Sequence, residues 1–294
     1  MRKFFSFFAM AAVVLSMASC GDGGNTPEQP KPVGAIKGKF SVAPGKQVYF
    51  SKGNLQATTS DRGYGSWTWS FATNQWDFIG NQVANNAIKG RSAVSDNGSV
   101  DLFIWSNSDL CYGIHVLEDH FDPLVDWGNN PISNGGNEPN LWRTLTQDEW
   151  VYLLQTREDA ANKYGFAKVN DIPGGVFLPD EWIWPSGLEF TPGKTGTSTK
   201  DGDWSEVAAT NIYDINQWHA MEENGAVFLP AAGDRNRTDV FADGYVGFYW
   251  SATLVPDGTK ACYFTFYNSS RIYPSLAFDR NEYGLSVRLV QDVK

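Results

Sequence analysis

Cysteine, histidine and positive charge are scarce in this 294-residue chain, which has 3 Cys, 3 His and 23 Lys plus Arg against 33 Asp plus Glu. The net charge of -10 and a pI near 4.8 leave no basic patch to release phosphate counterions, which excludes nucleic acid as a partner. An acidic surface otherwise speaks only to solubility. The histidines lack metal-ligand spacing: His115 and His120 sit in a loop-like stretch, and His219 is a helix-surface position. Neither a GxSxG nucleophile elbow nor a phosphate-cradling glycine loop occurs. No pattern pairs two carboxylates for acid–base work. The chain therefore reads as non-catalytic, with no cofactor and no metal site.

What the chain has in quantity is aromatic side chains and glycine: 12 Trp, 12 Tyr, 19 Phe and 29 Gly. Hydrophobic residues make up 42% and charged residues 19%, a globular balance with enough length for one large domain or two small ones. Many aromatics and many backbone turns point to a loop-rich fold dominated by strands rather than a helical bundle.

The N-terminus carries a leader pattern. Arg2 and Lys3 form a positive region, Phe4 to Leu15 an apolar one, and Met17-Ala18-Ser19-Cys20 ends it with small residues before a cysteine. The apolar run is too short for a membrane span and fits a secretory signal. The closing cysteine makes it resemble a bacterial lipoprotein signal, in which residues 1–19 are removed and Cys20 becomes the lipidated first residue. That resemblance implies an outer-membrane lipoprotein at the surface of a Gram-negative bacterium. Gly21 to Pro32 is a Gly, Pro and polar stretch with nothing to bury, so residues 20–35 read as a flexible tether and 36–294 as a single domain. Cys111 and Cys262 could then form one disulfide or remain as separately buried thiols, the commoner fate of free cysteine; spacing alone cannot place them within bonding distance.

Strand patterns come early in the domain. Gln47 to Phe50 and Gly53 to Gln56 alternate around Ser51-Lys52, and Ser66 to Phe71 sets Trp67, Trp69 and Phe71 against Ser66, Thr68 and Ser70. That aromatic face reads as core. Asp77 to Gly80 and Asp101 to Ser106 are further short apolar runs between polar connectors. Two helices are expected. Thr146 and Glu149 form a capping box ahead of Trp150, Leu153 and Leu154, giving an amphipathic helix from Thr146 to about Arg157. Asp214 and Gln217 repeat the pattern ahead of Trp218 and Met221, with Gly225 at the C-terminal cap. Each helix is followed by a Val-Phe-Leu-Pro segment, at Val176 to Pro179 and Val227 to Pro230.

With Leu141-Trp142-Arg143-Thr144-Leu145-Thr146, Glu149-Trp150, the two Val-Phe-Leu-Pro segments, Phe248-Tyr249-Trp250-Ser251-Ala252 and Gly284 to Val290 in that order, the chain resembles the Fibrobacter-type major paralogous domain. The matching segments span about Phe40 to Val290. The resemblance implies an α+β, C-type lectin-like fold: two main helices packed on short antiparallel sheets, loop-rich. Residues 247–290 also resemble the variable region of proteins diversified by retroelements. By that likeness Phe264, Phe266, Pro274, Arg280 and Gly284 to Val290 are scaffold. The ligand-facing candidates are Tyr263, Thr265, Tyr267, Asn268, Arg271, Tyr273, Ser275, Leu276, Ala277, Phe278, Asp279, Asn281 and Tyr283.

Side-chain chemistry supports that list independently, since Tyr supplies large contact area with few rotors and recurs on binding surfaces beside Ser, Asn and Arg. The expected role is a lipid-anchored, adhesin-like or receptor-like protein that meets a protein or glycan ligand and carries out no reaction. Two alternatives stand beside it. A pilus-type surface component would show long apolar edge strands or a donor segment, and neither is clear. Formylglycine-generating enzymes resemble the helix and closing-strand plan, but their copper site needs paired cysteines and Cys262 is alone in its region. Glu138-Pro139-Asn140 matches a calcium and sugar-binding tripeptide of C-type lectins but reads as a turn, and Asp234, Asp239 and Asp243 read as a solvated loop.

Overall fold

The computed structural model describes residues 31–58, 67–80, 98–105, 125–193, 203–236, 239–267, 271–279 and 283–294. Lys31–Lys294 forms one compact unit. The expectations at Cys20, Cys111, His115, His120, Asn268, Arg280 and Asn281 lie outside the described residues.

Period-2 alternation decides the architecture. In β1 (Ala35–Ala43) and β2 (Lys46–Ser51), which pair antiparallel, Ile36, Phe40, Val42, Val48 and Phe50 turn to one aromatic core while Tyr49 turns to another. The last strand, β17 (Leu289–Asp292), lies between β2 and the short β6 (Arg143–Thr144), so the two ends of the domain close a single four-stranded sheet. Leu289 and Val290 again face opposite cores. A three-stranded sheet joins β3 (Leu55–Thr58) to β4 (Thr68–Phe71) and β5 (Ser99–Val100). Trp69 and Phe71 of β4 are buried, as the alternation predicts. A second four-stranded sheet runs β10-β8-β7-β9, from β7 (Tyr164–Val169), β8 (Ile172–Phe177), β9 (Ile212–Tyr213) and β10 (Val227–Pro230). Here the two Val-Phe-Leu-Pro segments meet, with Phe228 opposite Val176 and Val227 opposite Phe177.

The expected α+β class with two main helices is overturned: the protein is mostly strand, in several small antiparallel sheets. One regular helix of useful length is present among the described residues, α2 (Ile215–Glu223). Its Asp214–Gln217 capping box is formed on both sides, and Gly225 follows with a φ of 98° that glycine adopts without strain. The first helix, α1 (Gln147–Val151), keeps the Thr146–Glu149 box but has only five α-helical residues before it widens into a π turn over Tyr152–Thr156. Buried Arg157 explains the stop. Its Nε donates to the Leu153 carbonyl at 2.8 Å, and its backbone is extended at ψ 158°, so the helical ladder has no continuation. Trp150, Leu153 and Leu154 all face the core, as their i, i+3, i+4 spacing dictates.

Asp101 to Trp105 is not a regular strand either. Phe103 makes an isolated bridge with Leu285, and the segment is held by indole donors: Trp105 Nε1 to the Ser251 carbonyl at 2.8 Å and Trp250 Nε1 to the Phe103 carbonyl at 2.6 Å. No helix of the described residues is long and apolar enough to cross a membrane.

Candidate functional site

The candidate face lies on the sheet of β13 (Val246–Leu254), β14 (Lys260–Tyr267) and β15 (Arg271–Asp279). Residues directly opposite one another in a ladder share a face. Three cross-strand rows do so: Val246, Tyr267 and Arg271; Phe248, Thr265 and Tyr273; Trp250, Tyr263 and Leu276. The intervening residues Gly247, Tyr249, Phe264, Phe266 and Ile272 turn the other way, onto α1, where the Trp150 and Phe264 rings stack at 4.7 Å. A Cβ at Gly247 would strike the Phe266 ring, so the inner face admits nothing larger there.

A bulge re-aims the edge strand. Thr265 pairs with Tyr273 but Tyr263 pairs with Leu276, so Pro274 and Ser275 together stand opposite Phe264. Proline fits this bulge because it has no N–H to contribute to the ladder. The slip brings Leu276 to the same face as Tyr273, three positions away, whereas strict alternation would have chosen Ser275 and Ala277. Ala277 instead pairs with Cys262 on the inner side and is half-buried, and Ser275 sits in the bulge.

Tyr267, Arg271 and Tyr273 form a stack on this face. The Arg271 guanidinium lies 5.3 Å from the Tyr267 ring centroid, and the Tyr267 and Tyr273 rings are 5.6 Å apart at 31°. Tyr273 and Leu276 are the most open members, at 38% and 39% exposure. Burial and a hydrogen bond with Tyr273 push the Tyr267 phenol above its ordinary range, against the pull of Arg271. The Tyr267 phenol therefore stays protonated at neutral pH beside a fixed cation. Such an array offers contact area and directed polar groups, not proton transfer.

Tyr263 and Thr265 are corrected by the structure: both are buried in the middle strand. Tyr263 packs between Phe248 at 5.8 Å and Trp250 at 6.3 Å, and belongs to the core that contains Trp127 and Leu285. Thr265 Oγ1 is buried without a hydrogen-bond partner. Both lie in the outward rows but are buried, Tyr263 because the core containing Trp127 and Leu285 packs on that part of the face. Phe278 and Asp279 pair through their backbones with Ala261 and Lys260, and their side chains lie outside the description. Tyr283, in β16 (Tyr283–Gly284), belongs to another sheet yet packs half-buried against the same core.

One residue was missed by the sequence reading. Asp234, expected in a solvated loop, is buried at 8% exposure in β11 (Asp234–Asn236), opposite Phe241 of β12 (Asp239–Phe241). Burial pushes its carboxyl up from 3.8 to about 6, and its charge reaches the Tyr263 phenol. Ala231 and Ala232 before it and the apolar β12 partner Val240, also buried, were the only signals. Asp239 is exposed, and Glu138, Pro139 and Asn140 lie in an exposed turn with Asn140 at φ 62°. Cys262 is a buried free thiol, held above its ordinary range by burial. Among the described residues no three His, Cys, Asp or Glu side chains gather where they could hold a metal ion. Comparisons with protein-family models, with curated proteins and with solved structures return no match.

Proposed function

We propose that the protein is an exported, lipid-anchored binding protein, adhesin-like or receptor-like, that meets its ligand on the outer face of the β13–β15 sheet. The observation that carries this reading is the Arg271–Tyr267–Tyr273 stack with open Leu276 beside it, mounted on strands whose other face is locked against α1. A rigid aromatic and guanidinium surface loses little entropy on binding, and Tyr and Arg are the residues that dominate contact energies. The order of motifs from Leu141 to Val290, resembling the Fibrobacter-type major paralogous domain, and the likeness of residues 247–290 to retroelement-diversified regions support the same location.

The test is a ligand screen with the wild-type chain and a Tyr267→Ala, Tyr273→Ala, Phe278→Ala triple variant. Loss of binding by a folded variant is the expected result, and undiminished binding moves the site elsewhere. For the anchor, Cys20→Ala should release the protein from membranes; continued attachment would remove the lipid from the reading. A genomic template copy of the 3′ end, differing at adenines and lying beside a reverse transcriptase, is expected if the face is diversified. Absence of such a copy would leave binding standing without diversification.

A further inference from the structure

A second aromatic site lies away from the sheet face, on the segment after β8. Asp180-Glu181-Trp182-Ile183-Trp184 leaves the sheet and returns at Phe190, and the three rings pack on one another: Trp182 against Trp184 at 5.4 Å and 88°, Trp184 against Phe190 at 6.2 Å and 36°. A tryptophan supported in this way would ordinarily be covered. Trp184 is instead 46% exposed and the neighbouring Ile183 74% exposed, the sort of open apolar surface that marks a contact site. The rings line a cleft of about 520 Å³ that Glu158, Asp159 and Asn162 also line. We propose that this cleft binds a neutral carbohydrate, with Trp184 as the stacking platform.

The lining favours a sugar. Its polar part is fixed: Asp159 is held in the left-handed region at φ 57°, and Asn162 Nδ2 donates to its Oδ1 at 2.6 Å. Both residues are exposed, and carboxylate and amide oxygens accept from hydroxyl groups, while a pyranose presents its C–H face to an indole. Apolar walls with a few placed polar groups are the usual form of small-ligand sites. An anion is disfavoured on charge, because Glu158 and Asp159 line the cleft exposed. The two remaining charged groups of the lining are engaged with the protein: Asp180 accepts from Arg157 at 3.2 Å, Ser41 at 2.7 Å and Gln47 at 2.8 Å, and the Lys163 ammonium donates to the Asp180 carbonyl at 3.1 Å.

Saturation-transfer NMR with neutral hexasaccharides of the β-glucan, mannan, xylan and chitin types tests the proposal on the folded chain. At least one should receive saturation at its ring C–H protons. Trp184→Ala should abolish the effect, Trp184→Phe should keep part of it, and Tyr273→Ala on the sheet face should leave it unchanged. The Tyr273→Ala arm separates this cleft from the sheet-face reading, which stands or falls independently. Because Trp184 is exposed, its variants should fold, as circular dichroism checks; Asn162→Ala, weakening the signal severalfold, provides a second perturbation if one does not. Silence with all four sugars, a signal that survives Trp184→Ala, or saturation of tetramethylammonium in place of sugar would overturn the proposal.

Discussion

The two faces of the β13–β15 sheet are made by the same three strands and both carry several aromatic rings, yet they end differently. On the inner face Tyr249, Phe264 and Phe266 lie with their rings 5.7 to 6.2 Å apart, and Trp150 stacks on Phe264 at 4.7 Å. On the outer face Tyr267 and Tyr273 stack on each other beside Arg271 and open to solvent at Tyr273. Aromatic content therefore does not separate core from contact surface; what lies across from each face does. Inward, a short helix and two further sheets supply partners. Outward, the Trp250 and Tyr263 end of the face packs into the other aromatic core, and only the Tyr267 and Tyr273 end finishes in a cation and a phenol.

The sharpest way to break this comparison is on the inner side. Phe264→Ala removes a ring that touches Trp150, Phe177, Tyr249 and Phe266, and should cost about 3–5 kcal/mol. Urea unfolding should show the midpoint falling with an unchanged slope. A loss below about 1 kcal/mol would mean that the inner face is not the packed one.

Asp234 sharpens the boundary between the faces, because it is a carboxylate buried beside Tyr263 rather than paired with a cation. Its folded-state value of about 6 lies above the ordinary 3.8, so the folded protein holds this proton more tightly than the unfolded chain does. Its stabilising contribution is therefore complete below about pH 4 and is lost as pH rises through 6. Asp234→Asn should stabilise the protein at pH 8 by at most about 3 kcal/mol and change little at pH 3.5. Equal effects at both pH values would show that the carboxylate is not desolvated.

How far the sequence announced all this depends on the range of the interaction. Signals confined to a few neighbouring residues were legible: both capping boxes, the glycine at Gly225, the buried alternation of Trp69 and Phe71, and the turn at Glu138 to Asn140. Signals set by a distant strand were not. The bulge at Pro274 and Ser275 exists only relative to Phe264 on β14, and it exchanged Ser275 for Leu276 on the outer face. Tyr263 and Thr265 were expected to meet ligand, but both are buried, and no local pattern could say that a distant core would cover that part of β14. The first helix was overextended for a similar reason: its stop is imposed by Arg157, which is kept inside by Asp180 at 3.2 Å. Tertiary context overrode an apolar pattern that suited a longer helix.

A smaller effect tests the support beneath the inner face. Thr146 Oγ1 accepts from the Glu149 N–H at 3.2 Å, and Glu149 returns the bond at 2.9 Å while also receiving Arg143 at 2.7 Å. Thr146→Ala should cost about 1 kcal/mol in thermal unfolding, well short of the Phe264→Ala loss. A five-residue helix has few other bonds to hold its start, so a null effect would assign the position of Trp150 to packing alone.

The smallest expected change in stability falls on the outer face and completes the comparison. Tyr273→Ala removes a ring that is 38% exposed and touches one other ring, that of Tyr267. No cavity forms, because the space it leaves is open to solvent, and no buried polar group loses its partner. Stability should therefore shift by no more than about 0.5 kcal/mol. The same change removes half of the stack that orients Arg271 and lifts the hydrogen bond that helps hold the Tyr267 phenol up, so that phenol should titrate nearer its ordinary value. A residue kept for folding would show the reverse, a clear loss of stability in urea with the Tyr267 titration unmoved. The ratio of the Phe264→Ala and Tyr273→Ala effects measures how completely one sheet divides its aromatic side chains between holding the fold and facing out of it.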